Sequence, residues 1–587
     1  MATTTVPSGA ARSWWGWGRT DRALPDSECA ELAALVPGLP SRPLPVPDVG
    51  GLTLAPPRAR PPASLAHRVS ADPDVRAGHT YGKAYRDVVR ALHGDLSAAP
   101  DLVAFPQTEA ELVDLLDWAG SRNVAAIPYG GGSSVVGGVE YRGDSHDAVL
   151  TLDLSAMDRV LEVDTVSRAA RIQAGVFGPA LEAQLREHTG GDGPGLTLRH
   201  FPQSFEFSTL GGWLATRAGG HYATQYQHID DLVESMRVVT PAGVSESWRL
   251  PGSGAGPSPD RFFLGSEGAL GVITEAWMRL QDRPVHKRSA SVSFTDFDAA
   301  AEAVRAIAQS GLQPANCRLL DPGEAAVSGV AEDGTSVLVL GVESAHRPVD
   351  GRLAELTALA ADHGGLVRTS RDAAAGRDGG GDGIGDGGGD GSGDGGPDGP
   401  SAAVGAWRSA FLRMPYVRDG LARMSAITET FETACTWDRA PGLIREVRAG
   451  IGAAVEEVTG RPGLVNCRFT HVYPDGPAPY FTVIAAGRRG SELAMWDEIK
   501  AAAMETLARH GATVTHHHAV GRDHRPGYDG QRPEPYALAL KAAKAALDPH
   551  GVLNPGVLLD APAPAPAPSL APSPAPAPPE PGGHGHG

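Results

Sequence analysis

The glycine-rich segment PYGGGSSVVGG, residues 128–138, constrains the fold of this chain more than any other stretch. The apolar run Val124–Pro128 leads into it and predicts a strand that ends in a tight turn. Consecutive glycines let backbone N–H groups turn toward an anion and approach it closely. The segment is not a Rossmann fingerprint, because Val135 stands at its sixth position, and no Gly-Lys-Ser/Thr follows to make a Walker loop. Taken alone, it is compatible with an anion site or with a plain turn.

Two later segments have a similar composition. They are PQSFEFSTLGGWLATRAGG, residues 202–220, and FFLGSEGALGVITEA, residues 262–276. The first offers hydroxyl groups and close-approach glycines, and the second places a glycine-rich turn before a predicted strand. Three such turns, each next to a strand, can together wrap a long dinucleotide.

The rest of the chain alternates helical and strand patterns. Thr108, followed three residues later by Glu111, forms a capping-box pattern that predicts a helix start, and apolar residues follow at helical spacing. Strand patterns follow at 124–128, 148–154, 169–177 and near 235–244, and helix and strand alternate again over 283–370. These patterns predict an α+β fold.

Composition excludes several classes of protein. The net charge of −18 over 587 residues argues against a broad nucleic-acid-binding face. The four cysteines form no CxxC pair and are interpreted as reduced thiols of a cytoplasmic protein. No run reaches the roughly 20 apolar residues that span a bilayer. We interpret the tryptophan cluster Ser13–Gly18 as a pin that holds the N-terminal arm on the body, the alternatives being carbohydrate or membrane contact.

The three glycine-rich segments resemble the FAD-binding domain of the vanillyl-alcohol oxidase (PCMH-type) flavoprotein superfamily. Within it they are most similar to the alkylglycerone-phosphate synthase (alkyl-dihydroxyacetonephosphate synthase) family, above all in EFSTLGGWLATRA and HIDDLV. The resemblance extends from Val75 to Leu559. The chain departs from the family pattern at Ser133, Gln203 and Ala269, which leaves the alkyl channel and the donor specificity open.

The resemblance implies FAD, bound non-covalently, and no metal. The implied cofactor-binding residues are Pro128, Tyr129, Gly130, Gly131, Gly132, Ser133, Ser134, Val135, Gln203, Ser204, Ser208, Thr209, Thr216, Arg217, Ala218, Gly219, Glu267, Gly268, Ala269, Leu270, Gly271, Val272 and Ile273.

The resemblance also implies a reaction. The acyl group of acyl-dihydroxyacetone phosphate is exchanged for a long-chain alcohol, which makes an ether lipid with no net redox change. Arg418 matches the family's substrate-binding arginine, with an ion pair to Asp419 as the alternative role. Tyr480 matches the catalytic tyrosine, with core packing as the alternative. The segment FETACTWDRA, residues 431–440, is interpreted as positioning structure.

Three consecutive histidines, His516, His517 and His518, coincide with the family's histidine motif. Side chains alternate across a strand, so three in a row make a poor metal site. Alternation lets His516 and His518 face one pocket while His517 packs behind. Imidazoles with a pKa near 6.5 can bind phosphate and relay protons. We therefore predict that the three residues form the edge of an active site.

The expected architecture is a PCMH-type FAD-binding domain with an α/β cap that covers the flavin. The predicted divisions are an N-terminal arm and helical region (1–98), the FAD-binding domain (99–282), the cap or substrate domain (283–515) with a disordered Gly/Asp insertion (373–403), the histidine motif and C-terminal return (516–560), and a disordered Ala/Pro tail (561–587). The C-terminal ALDPHGVLNPGVLL is expected to fold back over FAD. A peripheral membrane contact and a homodimer stay open.

Two other functions are compatible with the sequence. One is an FAD-linked oxidase or dehydrogenase of a 2-hydroxy acid such as D-lactate or glycolate, with Arg418 holding the carboxylate and a histidine as base. The other is a flavin-binding scaffold without turnover, which the Arg/Tyr/His set disfavours. Reduction of the flavin by a hydroxy acid separates the dehydrogenase from the synthase.

Overall fold

The computed structural model describes residues 11–189, 193–368 and 402–560. The predicted Ala/Pro tail and nearly all of the predicted Gly/Asp insertion lie outside these residues. The last two residues of that insertion, 402 and 403, are the exception, because they begin a helix. Among the described residues, no helix is both long enough and apolar enough to span a bilayer.

The N-terminal half carries short helices and three sheets. Its elements are α1 (Asp26–Ala34), β1 (Val69–Ser70), α2 (Pro73–Gly78), α3 (Tyr85–Leu92), β2 (Leu102–Ala104), α4 (Glu109–Ser121), β3 (Val124–Tyr129), β4 (Ala148–Asp153), β5 (Val160–Asp164), β6 (Ala169–Gln173), α5 (Gly178–Arg186), β7 (Leu196–Thr197), α6 (Leu210–Thr216), α7 (Ala223–Tyr226), β8 (Val233–Thr240), β9 (Gly243–Glu246), α8 (Pro259–Phe263), β10 (Val272–Arg279) and β11 (Gln281–Asp282).

The strands of this half are arranged in a four-stranded sheet, a five-stranded sheet and a small pair. The first has the order β1-β2-β4-β3, and β4 runs parallel to both of its neighbours. The second, β5-β6-β10-β8-β9, is antiparallel, and β7 pairs with β11. The predicted helix start is confirmed, because the Thr108 hydroxyl accepts the Glu111 N–H at 3.2 Å and α4 begins at Glu109. The predicted strand before the first glycine turn is also confirmed, as β3.

The C-terminal half is built on one large antiparallel sheet. Its elements are β12 (His286–Phe294), α9 (Phe297–Gln309), β13 (Asn316–Leu320), α10 (Pro322–Val327), β14 (Ser336–Ser344), α11 (Asp350–Asp362), β15 (Leu366–Arg368), α12 (Ala402–Arg423), β16 (Ala426–Glu432), α13 (Ala440–Thr459), β17 (Leu464–Val472), β18 (Pro477–Ala486), α14 (Glu492–Arg509), α15 (Arg525–Gln531) and α16 (Glu534–Leu547). The sheet order is β15-β12-β14-β13-β17-β18-β16.

The helices α9, α11, α13 and α14 contribute to an apolar core with this sheet, in which Phe431, Phe469 and Phe481 are fully buried. Burying large aromatic and aliphatic side chains is the main favourable term for such a layer. The sheet therefore carries its functional residues on rigid strands.

The C-terminal segment returns to the first half. Leu553 bridges Ala126 in parallel, and the Asn554 N–H donates to the Ala126 carbonyl at 2.9 Å. The buried Lys544 donates to Asp548 at 2.6 Å and to the Leu553 carbonyl at 2.7 Å. The return thus extends the edge at β3, the strand that leads into the first glycine turn.

The tryptophan cluster of the N-terminal arm is buried against the body of the protein. Trp15 and Trp17 are each only 7% exposed, and the Trp17 N–H donates to Asp419 on α12 at 2.5 Å. This confirms the prediction that the cluster holds the arm on the body.

Candidate active site

A single cavity of about 1780 Å³ is lined by both halves of the chain. All three glycine-rich segments reach it from the first half. Residues of β13, β14, β16, β17, β18 and α12 reach it from the second half, together with the end of the histidine run. Large pockets lined by loops of one domain and covered by another are the usual location of cofactor and substrate sites.

The first glycine turn has the form of an anion cradle. A Cβ at Gly130 would lie 2.3 Å from the Thr209 hydroxyl, and one at Gly131 would lie 1.8 Å from the Phe207 carbonyl. Gly132 has a φ of +60°, which favours glycine. Within the described residues, the buried N–H groups of Gly131 and Gly132 have no protein acceptor. A diphosphate fits these free donors, so the turn suits FAD.

The second segment is held by hydroxyl groups. The Trp213 indole N–H donates to the Ser208 hydroxyl at 2.7 Å, and that hydroxyl donates to the Ser204 carbonyl at 2.8 Å. Thr209 caps α6. These contacts fix the backbone that packs against Gly130 and Gly131.

The third segment is held by Glu267, whose φ is +50°. Its carboxylate accepts the N–H groups of Val520 and Gly521, each at 2.9 Å. Burial raises the pKa of Glu267 to about 7. The residue joins the third glycine-rich segment to the chain just after the histidine run.

Most of the predicted cofactor residues line the cavity. They are Pro128, Tyr129, Gly130, Gly131, Gly132, Ser133, Ser134, Val135, Gln203, Ser204, Ser208, Thr209, Thr216, Ala218, Gly219, Glu267, Gly268, Gly271, Val272 and Ile273. Three predicted residues do not line it. The exposed Arg217 side chain pairs with the buried Asp230 at 2.8 Å, and Ala269 and Leu270 are buried in the protein interior.

The histidine run is a bend around one buried carboxylate. Glu432, fully buried at the end of β16, accepts the N–H groups of His516, His517 and His518 at 3.0, 2.6 and 2.6 Å, all on Oε1. The Thr515 hydroxyl donates to the same oxygen at 2.9 Å. Four donors on one oxygen explain why the chain turns here instead of forming a strand.

The predicted faces of the three histidines are therefore wrong. His517 and His518 line the cavity, whereas His516 lies behind them and contacts the Tyr473 hydroxyl through Nε2 at 2.8 Å. Strand alternation does not apply, because residues 516–518 are in a bend. Gly219 makes room for this arrangement, since a Cβ there would lie 3.1 Å from His517 Cγ.

The predicted charge of the histidines also needs correction. Burial lowers the pKa of His516 and of His518 to about 3, and it lowers the pKa of His471 well below its usual value. These three rings are neutral at pH 7, so they can hydrogen-bond but cannot neutralise a phosphate. Burial alone would raise the pKa of Glu432, but His517 and the other nearby imidazoles lower it well below the usual range.

Two sets of side chains around the histidine run lie close enough together to hold a metal ion. Ligand atoms of His471, His516 and His517 lie within 4.8 Å of one another, and so do those of Glu432, His517 and His518. Protein hydrogen bonds already use several of them. Glu432 Oε1 has its four donors, and His471 Nε2 contacts the Gly220 carbonyl at 3.0 Å. The absence of a metal site stays a prediction.

The two remaining predicted residues, Arg418 and Tyr480, both line the cavity. Arg418 pairs with Asp419 at 2.7 Å, which is the ion pair named as its alternative role, and donates to the Lys83 carbonyl at 2.6 Å. A guanidinium has five N–H donors and three are used here, which leaves two. Burial raises the pKa of Tyr480, which keeps its phenol neutral.

Sequence reasoning missed two buried arginines. Arg318 on β13 is 3% exposed, stacks over Phe411 at 5.0 Å and donates to His221 Nδ1 at 2.9 Å. Burial lowers the pKa of Arg318 to about 9, and no carboxylate of the described residues pairs with it. Arg468 pairs with Glu324 and lies 3.8 Å from the Tyr480 ring centre.

Comparisons with known proteins agree with this geometry. Residues 100–246 match the FAD binding domain family, and residues 283–378 and 397–558 match the C-terminal domain of FAD linked oxidases. Alkyldihydroxyacetonephosphate synthase of Dictyostelium discoideum is 30% identical over 512 residues, which cover 84% of this chain and 79% of the relative.

The chain belongs to the alkyldihydroxyacetonephosphate synthase family. A solved structure of an alkyldihydroxyacetonephosphate synthase aligns with a TM-score of 0.74 at 24% identity, covering 93% of this chain and 98% of that chain, which shows the fold. Glycolate oxidase subunit GlcD of Bacillus subtilis (strain 168) is more distant, at 24% identity over 78% of this chain and 88% of the relative. FAD is the cofactor of this family, and the α+β fold with a PCMH-type FAD-binding domain is confirmed.

Proposed function

We propose that this enzyme exchanges the acyl group of acyl-dihydroxyacetone phosphate for a long-chain alcohol and thereby makes an ether bond. The observation that carries the proposal is the chemistry of the cavity. The buried Arg318 and Arg468 line the cavity together with Tyr480 and the histidine bend, and exposed leucines make one part of its rim apolar, beside the exposed charged residues Arg22, Arg288 and Arg413. A phosphate head with a long hydrocarbon chain matches both parts.

The apolar rim comes from two helical regions and a strand end. Leu35, just after α1, is 77% exposed, Leu412 on α12 is 45% exposed, and Leu464 at the start of β17 is 48% exposed. All three line the cavity. Exposed apolar side chains gathered at a pocket mouth are typical of sites that admit apolar ligands.

Arginine side chains receive the phosphate in this proposal. Arg318 carries a charge at neutral pH and has no carboxylate partner among the described residues, so a phosphate would supply its missing counterion. Arg418 offers its two unused N–H donors. Charge-assisted hydrogen bonds of this kind are the strong ones in a buried site.

Proton transfer falls to Tyr480 and the histidines that line the cavity. The Tyr480 and His518 rings meet edge to face with their centres 5.4 Å apart, and the Tyr480 and His517 rings lie 6.3 Å apart. A neutral phenol and an imidazole at this spacing can hold and pass the proton of the attacking alcohol. When bound, FAD supplies the reactive ring beside which this exchange takes place.

A 2-hydroxy acid oxidase or dehydrogenase is the second candidate, favoured by the more distant relative among glycolate oxidases. Arg418 could hold a carboxylate as well as a phosphate. A small hydroxy acid would leave the apolar rim without a role, and this favours the synthase.

The test is an anaerobic visible spectrum of the purified enzyme with D-lactate, glycolate or palmitoyl-dihydroxyacetone phosphate added separately. The synthase predicts palmitate release, and alkyl product when hexadecanol is present, without two-electron bleaching of the flavin. Bleaching by a hydroxy acid without palmitate release would support the dehydrogenase. Full activity in both Tyr480→Phe and Arg418→Ala would refute the site assignment.

The same rim is proposed to contact a membrane surface, because the substrates are lipids and the exposed leucines surround the cavity mouth. Flotation with phosphatidylcholine vesicles should recover the wild type, and Leu35→Glu with Leu412→Glu should reduce the bound fraction severalfold.

A homodimer stays a prediction of the family resemblance, which light scattering after gel filtration checks.

A further inference from the structure

Glu432 has a second oxygen whose role goes beyond holding the bend. Oε1 accepts the four donors from residues 515–518, whereas Oε2 is in close contact with His517 Nδ1. His516 Nδ1 lies farther from Oε2, at 3.8 Å. One fully buried carboxylate therefore fixes both the backbone and one ring of the histidine run.

This contact determines where His517 carries its proton. An ionised carboxylate can only accept, so the nitrogen that faces it must donate. Nδ1 of His517 therefore bears a hydrogen, and when the ring carries only that proton its Nε2 has a free lone pair. Since His517 lines the cavity and its Nε2 has no protein partner among the described residues, this lone pair is available to a substrate.

The neighbouring ring agrees with this assignment. His516 Nδ1 lies 3.1 Å from His517 Nδ1, and two N–H groups cannot face each other at that distance. His516 must therefore leave its Nδ1 bare and carry its proton on Nε2, from which it donates to the Tyr473 hydroxyl at 2.8 Å. Glu432 and Tyr473 are thus the two ends of one chain of close polar contacts through His517 and His516.

We propose that Glu432 is a positioning residue that holds His517 with its proton on Nδ1, so that Nε2 is the proton acceptor in the cavity. The proposal rests on the proposed function for its substrate. The alcohol O–H bond breaks as its oxygen forms the ether bond to the dihydroxyacetone phosphate carbon, the bond from that carbon to the acyl oxygen breaks, and an N–H bond forms at His517 Nε2. The fatty acid leaves as a carboxylate, and His517 then releases the proton to water. Between proton uptake and proton release the His517 ring is positively charged, and the Glu432 carboxylate faces it.

Other titratable or charged groups surround His517. They are His471 and Tyr473 on and after β17, Tyr480 and Arg468 on β18 and β17, His516 and His518 in the bend, His228 beyond His516, and Lys500 on α14. Among them, His471, His516 and His518 are neutral at pH 7 because burial lowers the pKa of each.

Glu432→Gln separates the two roles of the carboxylate. The amide oxygen can still accept the backbone N–H groups, but its NH₂ would face His517 Nδ1 and require a bare nitrogen there. The ring proton then moves to Nε2, and the acceptor in the cavity is lost. We expect kcat to fall at least about 100-fold, the usual scale for one acid–base group. KM should change less than about threefold and FAD content should not change.

The matched control is Glu182→Gln. Glu182 is also a buried glutamate that accepts a backbone N–H, from Leu198 at 3.1 Å, and pairs with an arginine, but it does not line the cavity. Its substitution should lower stability and leave kcat within about threefold. Glu432→Asp, which keeps the charge, should retain more kcat than Glu432→Gln.

The decisive readout is independent of turnover. Nitrogen-15 NMR of histidine-labelled holoenzyme, with His517 assigned by its loss in His517→Gln, should show the Nδ1–H form in the wild type and the Nε2–H form in Glu432→Gln. An Nε2–H form in the wild type overturns the proposal, even if Glu432→Gln does not fold. The proposal is also overturned if the kcat of Glu432→Gln lies within threefold of the kcat of Glu182→Gln. If the enzyme lacks synthase activity but shows the Nδ1–H form, the proposed function fails and the positioning role stands.

Discussion

At the scale of single residues, Arg318 is the least ordinary feature of the cavity. A buried guanidinium without a carboxylate is costly, because its charge has been removed from water without compensation. Aromatic faces offset part of this cost, from Phe411 at 5.0 Å and Trp407 at 5.8 Å. A bound phosphate would supply the remainder.

Substitution of Arg318 by Met tests this role. Met fills similar space without charge, and loss of a charge-assisted contact of about 1.5–3 kcal/mol should raise KM for acyl-dihydroxyacetone phosphate by roughly tenfold to a hundredfold. KM for hexadecanol, which carries no phosphate, is the internal control and should stay within about threefold. Steady-state kinetics with each substrate varied in turn measures both. An equal rise in both constants would contradict a phosphate role.

The histidine run shows how far residue patterns can be interpreted. Three adjacent histidines and a family motif predict the edge of an active site, and the structure places His517 and His518 in the wall of the cavity. Their orientation could not be predicted, because it depends on Glu432, which lies 84 residues before His516 in the chain. A contact over that distance leaves no local pattern, although the segment around Glu432 was interpreted as positioning structure.

At the scale of elements, the N-terminal arm joins parts that come from distant places in the chain. The Arg12 guanidinium donates to the carbonyls of Gly131 and Phe207, which belong to the first and second glycine-rich segments. The ring of Trp17 packs edge to face on Phe207 at 5.8 Å. The arm therefore supports the turn that is expected to hold the diphosphate of FAD.

Arg12→Ala should weaken cofactor binding more than it weakens the fold. Losing hydrogen bonds from a charged group costs about 1.5–3 kcal/mol, so the FAD dissociation constant should rise roughly tenfold or more. Quenching of FAD fluorescence during titration of the apoprotein gives the constant. Arg60→Ala, at an exposed arginine of the N-terminal region that does not line the cavity, should leave it unchanged. A similar affinity for both variants would show that the arm does not support the turn.

Elements with strong local patterns were predicted well from the sequence. The strand before the glycine turn, the capped helix α4 and the cap helix α9 follow from apolar periodicity and capping residues. The Arg318 site was not found, because an arginine inside an apolar strand gives no sign of whether it faces a carboxylate, an aromatic ring or a cavity. Only the packing of α12 against the sheet decides this.

At the scale of the whole molecule, two buried glutamates hold one segment between the halves. Glu432 accepts N–H groups of residues 516–518 from the cap side, and Glu267 accepts those of Val520 and Gly521 from the side of the glycine turns. The active-site bend therefore depends on both halves being in place. Loss of either carboxylate should disturb catalysis before it disturbs either core.

The same buried groups predict how the stability of the molecule depends on pH. Burial lowers the pKa of six histidines to about 3 or well below the usual value, namely His200, His221, His471, His516, His518 and His524. Because the unfolded chain titrates near pH 6.5, it binds more protons than the folded chain below that pH. The contribution of these histidines to the free energy of unfolding is complete above about pH 6.5 and is lost progressively as the pH falls toward 3.

Acids whose pKa burial raises act in the opposite direction, with large shifts for two of them and smaller shifts for Glu206, Asp260, Glu275 and Asp321. Burial raises the pKa of Asp87 and of Glu267 to about 7, so their contribution is complete below about pH 4 and is lost as the pH rises through 7. Each proton taken up on unfolding changes the free energy of unfolding by about 1.4 kcal/mol per pH unit. Between pH 7 and pH 5, unfolding lets the six histidines take up more protons than the two acids with large shifts release. The melting temperature should therefore fall steadily as the pH is lowered from 7 to 5.

Differential scanning calorimetry of the holoenzyme across this range checks the prediction, with His524→Asn as the matched variant. The Asn amide can keep the donor that His524 Nδ1 gives to the Ala519 carbonyl at 2.9 Å, but it does not titrate. The variant should lose stability less steeply than the wild type as the pH falls, because it takes up about one proton fewer on unfolding. A melting temperature that stays constant or rises from pH 7 to pH 5 would mean that the histidines become protonated without unfolding, and that the cavity admits enough water to solvate them.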